Sequence, residues 1–215
     1  MPKITKRPNF KPTADTYPVL QQAYDHFNEH IFDGLLPDCL ITLSAEMRRA
    51  YGYYRNHPFK SAKKKDQSTD EISLNPFTFA GRDDRAIYST LVHEMVHLWQ
   101  HHFGDPKKTP HDKQWADKME EIGLMPSSTG APGGKRTGRR VSHYIIDGGA
   151  FDKACAKFKG VIEWRGAPVE RERKGSKRTK YTCPHCELNA YAKPDVVILC
   201  GECSEETGDL VVMEA

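Results

Sequence analysis

No stretch of this sequence approaches eighteen consecutive apolar residues, so no membrane-spanning helix is expected. The start, MPKITKRPNF, has basic residues but no apolar run behind them; no secretory leader is expected, and a cytoplasmic protein is the default. Internal repeats are missing too. Cysteine is scarce: there are six, and four stand in two close pairs, Cys183 with Cys186 and Cys200 with Cys203. In a reducing compartment that spacing reads as metal binding more readily than as a disulfide framework. Cys39 and Cys155 are isolated and are expected to be buried free thiols.

An overall excess of charge is also lacking, with a formal net charge of +3 from 32 basic and 29 acidic residues. The near-balance conceals segregation. Residues 135–180 carry fourteen Lys or Arg against five acids, whereas residues 181–215 carry one Lys against seven acids. At 215 residues the chain has room for one substantial domain and a small accessory module. The expected divisions are a loose arm over 1–15, a main domain over 16–170, a basic linker over 171–180, and a small cysteine unit with an acidic tail over 181–215.

From Tyr17, apolar positions recur every three or four residues through Ile31, the period of an amphipathic helix. CLITLS, YGYYR and EISLNPF read as strands, the last of them an edge strand able to pair with an extended peptide. HPFKSAKKKDQSTD has no periodicity and reads as a hairpin or loop. A long apolar helix is expected from Asp83 or Asp84 to about His101, and another over 112–122. GLMPSSTGAPGGKRTGRR reads as a long loop, VSHYII and GVIEW as strands, and FDKACAKF as a short helix.

Inside the long helix stands HEMVH. Residues four apart share one helical face, so His93 and His97 can aim their imidazoles at a common point, with Glu94 beside them to take a proton from a metal-bound water. A catalytic zinc takes three protein ligands and keeps a position open. His101 is a poor third ligand, because it lies eight residues, or about 12 Å of helix, from His93. His111 follows a turn-rich connector and opens a new helix, so the chain can fold it back over the ion. Glu120 or Glu121 is the other possible third ligand, with HDKQW then only capping a helix.

HEMVH followed by HDKQW, and preceded by FDGLLPDCLITLS and EISLNPF, resembles the SprT-like family of zinc metalloproteases, the family of the DNA-dependent protease Spartan. The resemblance runs over roughly residues 17–203. It implies an α+β, zincin-like domain with a small mixed or antiparallel sheet. His111 takes the third-histidine place and Trp115 the aromatic place that follows, while Pro110 and Asp112 depart from the two glycines usual there. The implied chemistry is attack of a zinc-activated water on a peptide bond, with Glu94 as base. Tyr144 and His143, in VSHYII, are candidates for stabilising the oxyanion. The resemblance also suggests a bacterial, phage or mobile-element chain, with nucleoid association a possible location.

The cysteines form Cys-x2-Cys, thirteen residues, Cys-x2-Cys, which fits a closed, structural zinc ribbon with four thiolate ligands. Three basic groups are candidates for non-sequence-specific contact with DNA, single-stranded or at junctions: Lys63, Lys64 and Lys65; Lys135, Arg136, Arg139 and Arg140; and Arg171, Arg173, Lys174, Lys177, Arg178 and Lys180. Solvated loops of no special role are the plain alternative. The expected function is a zinc endopeptidase acting on DNA-bound or DNA-crosslinked protein. Its rivals are a DNA-independent peptidase with a dedicated substrate and a non-catalytic zinc-ribbon adaptor.

Overall fold

The computed structural model describes residues 11–45, 50–105, 110–166 and 178–215. The chain forms two compact units, divided between residues 168 and 169. The first is built on helix α2 (Asp84–Phe103), which is buried along most of its length from Ile87 to Gln100. Asp83 starts it by accepting the Ala86 N–H at 2.7 Å, satisfying one of the open amides of the first turn. It runs to Phe103, slightly beyond the expected His101, and Gly104 ends it.

Helix α1 (Pro12–Ile31) buries Thr16, Leu20, Ala23, Tyr24 and Phe27 on one stripe. It begins ahead of the expected Tyr17, taking in residues assigned from sequence to the loose arm. Pro18 suits a first turn and so suggests the later start; Pro12 suits it equally, and the buried Thr16 extends the stripe backwards.

Strands β1 (Leu40–Leu43), β2 (Gly52–Lys60) and β3 (Ser68–Leu74) form a sheet in the order β1-β3-β2, with β1 parallel and β2 antiparallel to β3. EISLNPF therefore supplies the central strand and not an edge. Its residues from Asp70 to Leu74 are buried without alternation, as a strand covered on both faces requires. The edge is β2, which runs on into residues expected to be a hairpin or loop and forms a hairpin with β3 there. It does so across an irregularity between Arg55 and Phe59, where His57 takes a left-handed φ of 46°. The His57 N–H is held by Asp70 Oδ1 at 2.7 Å, and the other Asp70 oxygen meets His102 Nε2 at 2.5 Å.

Helix α3 (Lys113–Glu121) packs beside α2, and β4 (Leu124–Ser127) pairs antiparallel with β5 (Ser142–Ile145). β4 lies where the sequence suggests a loop. Pro126 reads as a breaker, yet in a two-stranded ladder both strands are edges, and an edge tolerates proline. Helix α4 (Ala150–Lys157) follows, but GVIEW forms no strand. Its backbone is met by side chains instead: Asp84 accepts the Ile162 N–H at 3.2 Å, and Arg165 donates to the Ile162 carbonyl at 3.0 Å. Among the described residues no helix is long and apolar enough to cross a membrane.

The second unit is a hairpin of β6 (Thr179–Thr182) and β7 (Asn189–Ala192) with helix α5 (Gly201–Thr207). Lys180, expected in the linker, thus lies in β6. Tyr181, Val211 and Met213 join Cys183, Cys200 and Cys203 in a small core of their own.

Candidate functional site

His93, His97 and His111 bring one ring nitrogen each to within 4.8 Å of the others. The first two come from adjacent turns of α2. The third stands just before α3, where Asp112 does two things with one oxygen: it accepts the Trp115 N–H at 3.0 Å, capping α3, and the Gln100 side-chain amide at 2.8 Å, tying the cap to α2. Capping and ligand placement are therefore not alternatives. Asp112, which replaces the expected glycine, fixes the turn that delivers His111. Glu120 and Glu121 point elsewhere and bond Arg136 and Lys118 respectively.

Trp115 lies under all three imidazoles, with ring centroids 4.9 Å from His93, 5.3 Å from His97 and 4.5 Å from His111. Burial drives the His93 pKa well below its ordinary value and the charges of its histidine neighbours add to this; burial likewise takes His97 down to about 3 and lowers His111. All three are neutral bases at neutral pH, the form that binds metal. His111 Nδ1 lies 3.2 Å from the Gly138 carbonyl, to which it donates, leaving Nε2 for a ligand.

Glu94 is buried next to this cluster, and burial pushes its carboxyl up to about 8. Gly52, which sequence reasoning does not single out, brings the sheet against it. A Cβ on Gly52 would stand 2.9 Å from the Ser73 carbonyl and 3.1 Å from Glu94 Oε1, so only glycine lets β2 pass this close. An isolated glycine among strand aromatics is the one available signal.

These groups floor a cleft of about 770 Å³, walled by Tyr51–Tyr54 on one side and by Arg139–His143 on the other. His143 lies in the wall and contacts His93, with Nδ1 to Nδ1 at 3.0 Å. Tyr144 does not line the cleft; it pairs with Met125, and its side chain alternates to the other face of β5. His101 also lines the cleft but is not among the three clustered nitrogens.

The basic candidates are scattered. Arg139 and Arg140 are exposed at the cleft rim. Arg136 is held by Asp117 at 3.1 Å and Glu120 at 2.5 Å. Lys135 is exposed outside the cleft lining, and Lys63, Lys64 and Lys65 lie in the exposed turn between β2 and β3. Arg178 and Lys180 are exposed in the second unit, while Arg171, Arg173, Lys174 and Lys177 lie outside the described residues.

In the second unit Cys183, Cys186, Cys200 and Cys203 converge, with sulfurs 3.7 Å apart in the pairs Cys183–Cys203 and Cys186–Cys200. Sulfurs at the corners of a tetrahedron about a zinc ion, each at about 2.3 Å, would stand about 3.8 Å apart. The N–H groups of Cys186 and His185 point at Cys183 and bring its thiol down to about 6. Donor type and spacing thus fit a structural zinc in this unit, and three neutral imidazoles with a neighbouring glutamate fit a catalytic zinc in the first.

A segment of 42 residues, 20% of this chain, is 60% identical to an uncharacterized protein in the mucB 3' region of Salmonella typhimurium. The match covers 55% of that relative's length. The SprT-like family model matches residues 20–135, which include the whole histidine cluster and Glu94 but neither His143 nor the four cysteines. With more than half its length matched, and with the metal-binding histidines inside the match, this chain belongs to the SprT-like family.

Proposed function

We propose that the protein is a zinc endopeptidase that cleaves proteins bound or crosslinked to DNA. The observation that carries the peptidase reading is the convergence of His93, His97 and His111 beside a buried Glu94 at the floor of an open cleft. Zinc held by these histidines would supply Lewis acidity, lowering the pKa of a water and polarising a peptide carbonyl. Glu94 would accept a proton from the attacking water and return it to the leaving amine. Glu94 is buried beside the histidine cluster, within the cleft, which places it for that role. The outer edge of β2 offers backbone groups to an extended substrate beside the cleft, in the role that the sequence suggests for EISLNPF. A zinc held by four thiolates has no open position and serves the fold of the second unit.

The DNA part of the proposal rests on family membership and on Arg139 and Arg140 at the rim, where phosphates would lie next to the scissile bond. The same two arginines equally suit acidic side chains of a dedicated protein substrate, which is the second reading. A non-catalytic adaptor has no use for a buried glutamate beside the cluster.

The test incubates the zinc-loaded protein with a DNA-binding protein substrate, with and without single-stranded DNA, beside Glu94→Gln and a chelated sample. Loss of cleavage by about 10²–10⁴-fold is expected in Glu94→Gln. Cleavage that requires DNA, and is not supported by heparin, is the expected result. Cleavage indifferent to DNA would remove the DNA reading and keep the peptidase; none on several substrates would remove both.

A further inference from the structure

His143 is a candidate oxyanion donor by sequence, and the cleft wall does present it next to the metal cluster. Both of its nitrogens are already engaged, however. Nδ1 is 3.0 Å from His93 Nδ1, and Nε2 is 2.9 Å from the Ser89 hydroxyl. The direction of each bond can be worked out from its far end. The Ser89 hydroxyl lies 2.9 Å from the Ala86 carbonyl, and with its proton placed on that oxygen it accepts from His143. His143 therefore carries its proton on Nε2 and has a bare lone pair on Nδ1. The facing His93 nitrogen must then be the donor. His93 is protonated at Nδ1 and bare at Nε2.

We infer that the Ser89–His143 pair is a positioning device that holds His93 in the Nδ1–H tautomer, with Nε2 turned to the zinc ion. His111 gets the same treatment from the Gly138 carbonyl. For His93 the orienting acceptor is a second imidazole, whose own tautomer is set by a serine one turn earlier on the same helix as its target. A neutral imidazole has one donor and one acceptor, so a proton on the wrong nitrogen of His143 would place two donors face to face across 3.0 Å. The serine hydroxyl prevents this. The pair takes no part in the chemistry: with no free donor, His143 is not available to an oxyanion. Ser89 is 3% exposed and His93 8%, so water competes little for the bonds that set the relay.

The inference rests on the zinc centre, and is independent of the substrate and of DNA. Its test is zinc affinity in the full chain. Zinc at the histidine site is followed by competition with a chromophoric chelator, and ribbon zinc is counted separately as the metal released only after mercurial modification of the thiols. His143→Leu is expected to weaken the histidine site about 10–100-fold. His143→Asn places an amide oxygen near the lost Nδ1 and is expected to hold zinc within about threefold of the parent, since an acceptor is restored. Ser89→Ala, which frees His143 to choose its tautomer, is expected to fall between them. Ribbon zinc stays unchanged in all three and serves as an internal count of protein, while circular dichroism and thermal melting report that the first unit is folded. Long-range ¹H–¹⁵N spectra of the zinc-loaded parent should show His143 as the Nε2–H tautomer.

Equal zinc affinity in His143→Leu and the parent would overturn the inference, as would an Asn variant as weak as the Leu one. An Nδ1–H tautomer at His143 would also overturn it. A fall in kcat with zinc affinity intact would overturn it too, and return His143 to a transition-state role.

Discussion

The two metal clusters of this chain are built by opposite methods. The four cysteines lie within 21 residues of sequence, in two pairs that each form a knuckle, and they sit among only a handful of apolar side chains. The three histidines come from a helix and from a turn tied to that helix by a glutamine, over an indole, under a strand that passes only because it has glycine. The ribbon has little besides a metal to hold it together, whereas the larger unit has an extensive core that positions its candidate ligands.

The largest effect that bears on this contrast is loss of a thiolate. Cys183→Ser should unfold the ribbon, because the binding free energy of such a site, about 10–16 kcal/mol in small zinc modules, is its folding free energy. Zinc content should halve, and the histidine site should keep its ion and its activity on a simple peptide. Parallel losses at both sites would show that the units are not separate in this sense.

A smaller effect sharpens the other half of the comparison. Gly52→Ala puts a methyl group against the Ser73 carbonyl and Glu94. Peptidase activity should fall about 100-fold, the usual cost of misplacing a catalytic group by about an ångström. Zinc content should not change, since the histidines are not displaced. A variant with full activity would show that Glu94 tolerates movement.

The smallest effect concerns pH. Asp70 is buried; burial alone would raise its pKa, but bonds from His102 and the His57 N–H outweigh this and lower it below its ordinary 3.8. A lowered carboxylate stabilises the fold above its unfolded value, and that stability is lost as pH falls through the folded value. Asp70→Asn should therefore cost about 1–3 kcal/mol near neutrality and progressively less below about pH 4. Urea titrations of the two proteins at several pH values would show the curves converge in acid. A constant gap would mean that the loss is one of packing and not of charge.

How far each cluster is legible in the sequence follows from the same contrast. Cysteine spacing and the HEMVH pair are local, and α2 carries its cap, Asp83, and its apolar length in consecutive residues. His111 could be placed through the family resemblance of HDKQW, with Glu120 and Glu121 left as rivals until the geometry separated them. What cannot be seen depends on partners distant in sequence. Gly52 matters only against Ser73 and Glu94, and His143 takes its role from His93 and Ser89, 50 and 54 residues back. The central place of EISLNPF is hidden for a related reason: a short alternating strand at an edge and a short buried one at the centre look alike until the neighbours are known. GVIEW has strand composition, but arginine and aspartate side chains take its backbone bonds.

The bridge between His111 and Gly138 has a thermodynamic consequence. Each residue bonds the other, through Gly138 N–H to the His111 carbonyl at 3.0 Å and His111 Nδ1 to the Gly138 carbonyl. The third histidine and the arginine-bearing loop are thus one mechanical piece. Whatever factor an anion seated on Arg139 and Arg140 applies to zinc affinity, zinc must apply to the affinity for that anion. Any coupling between the rim and the floor of the cleft is therefore reciprocal, and a titration at either one would measure it.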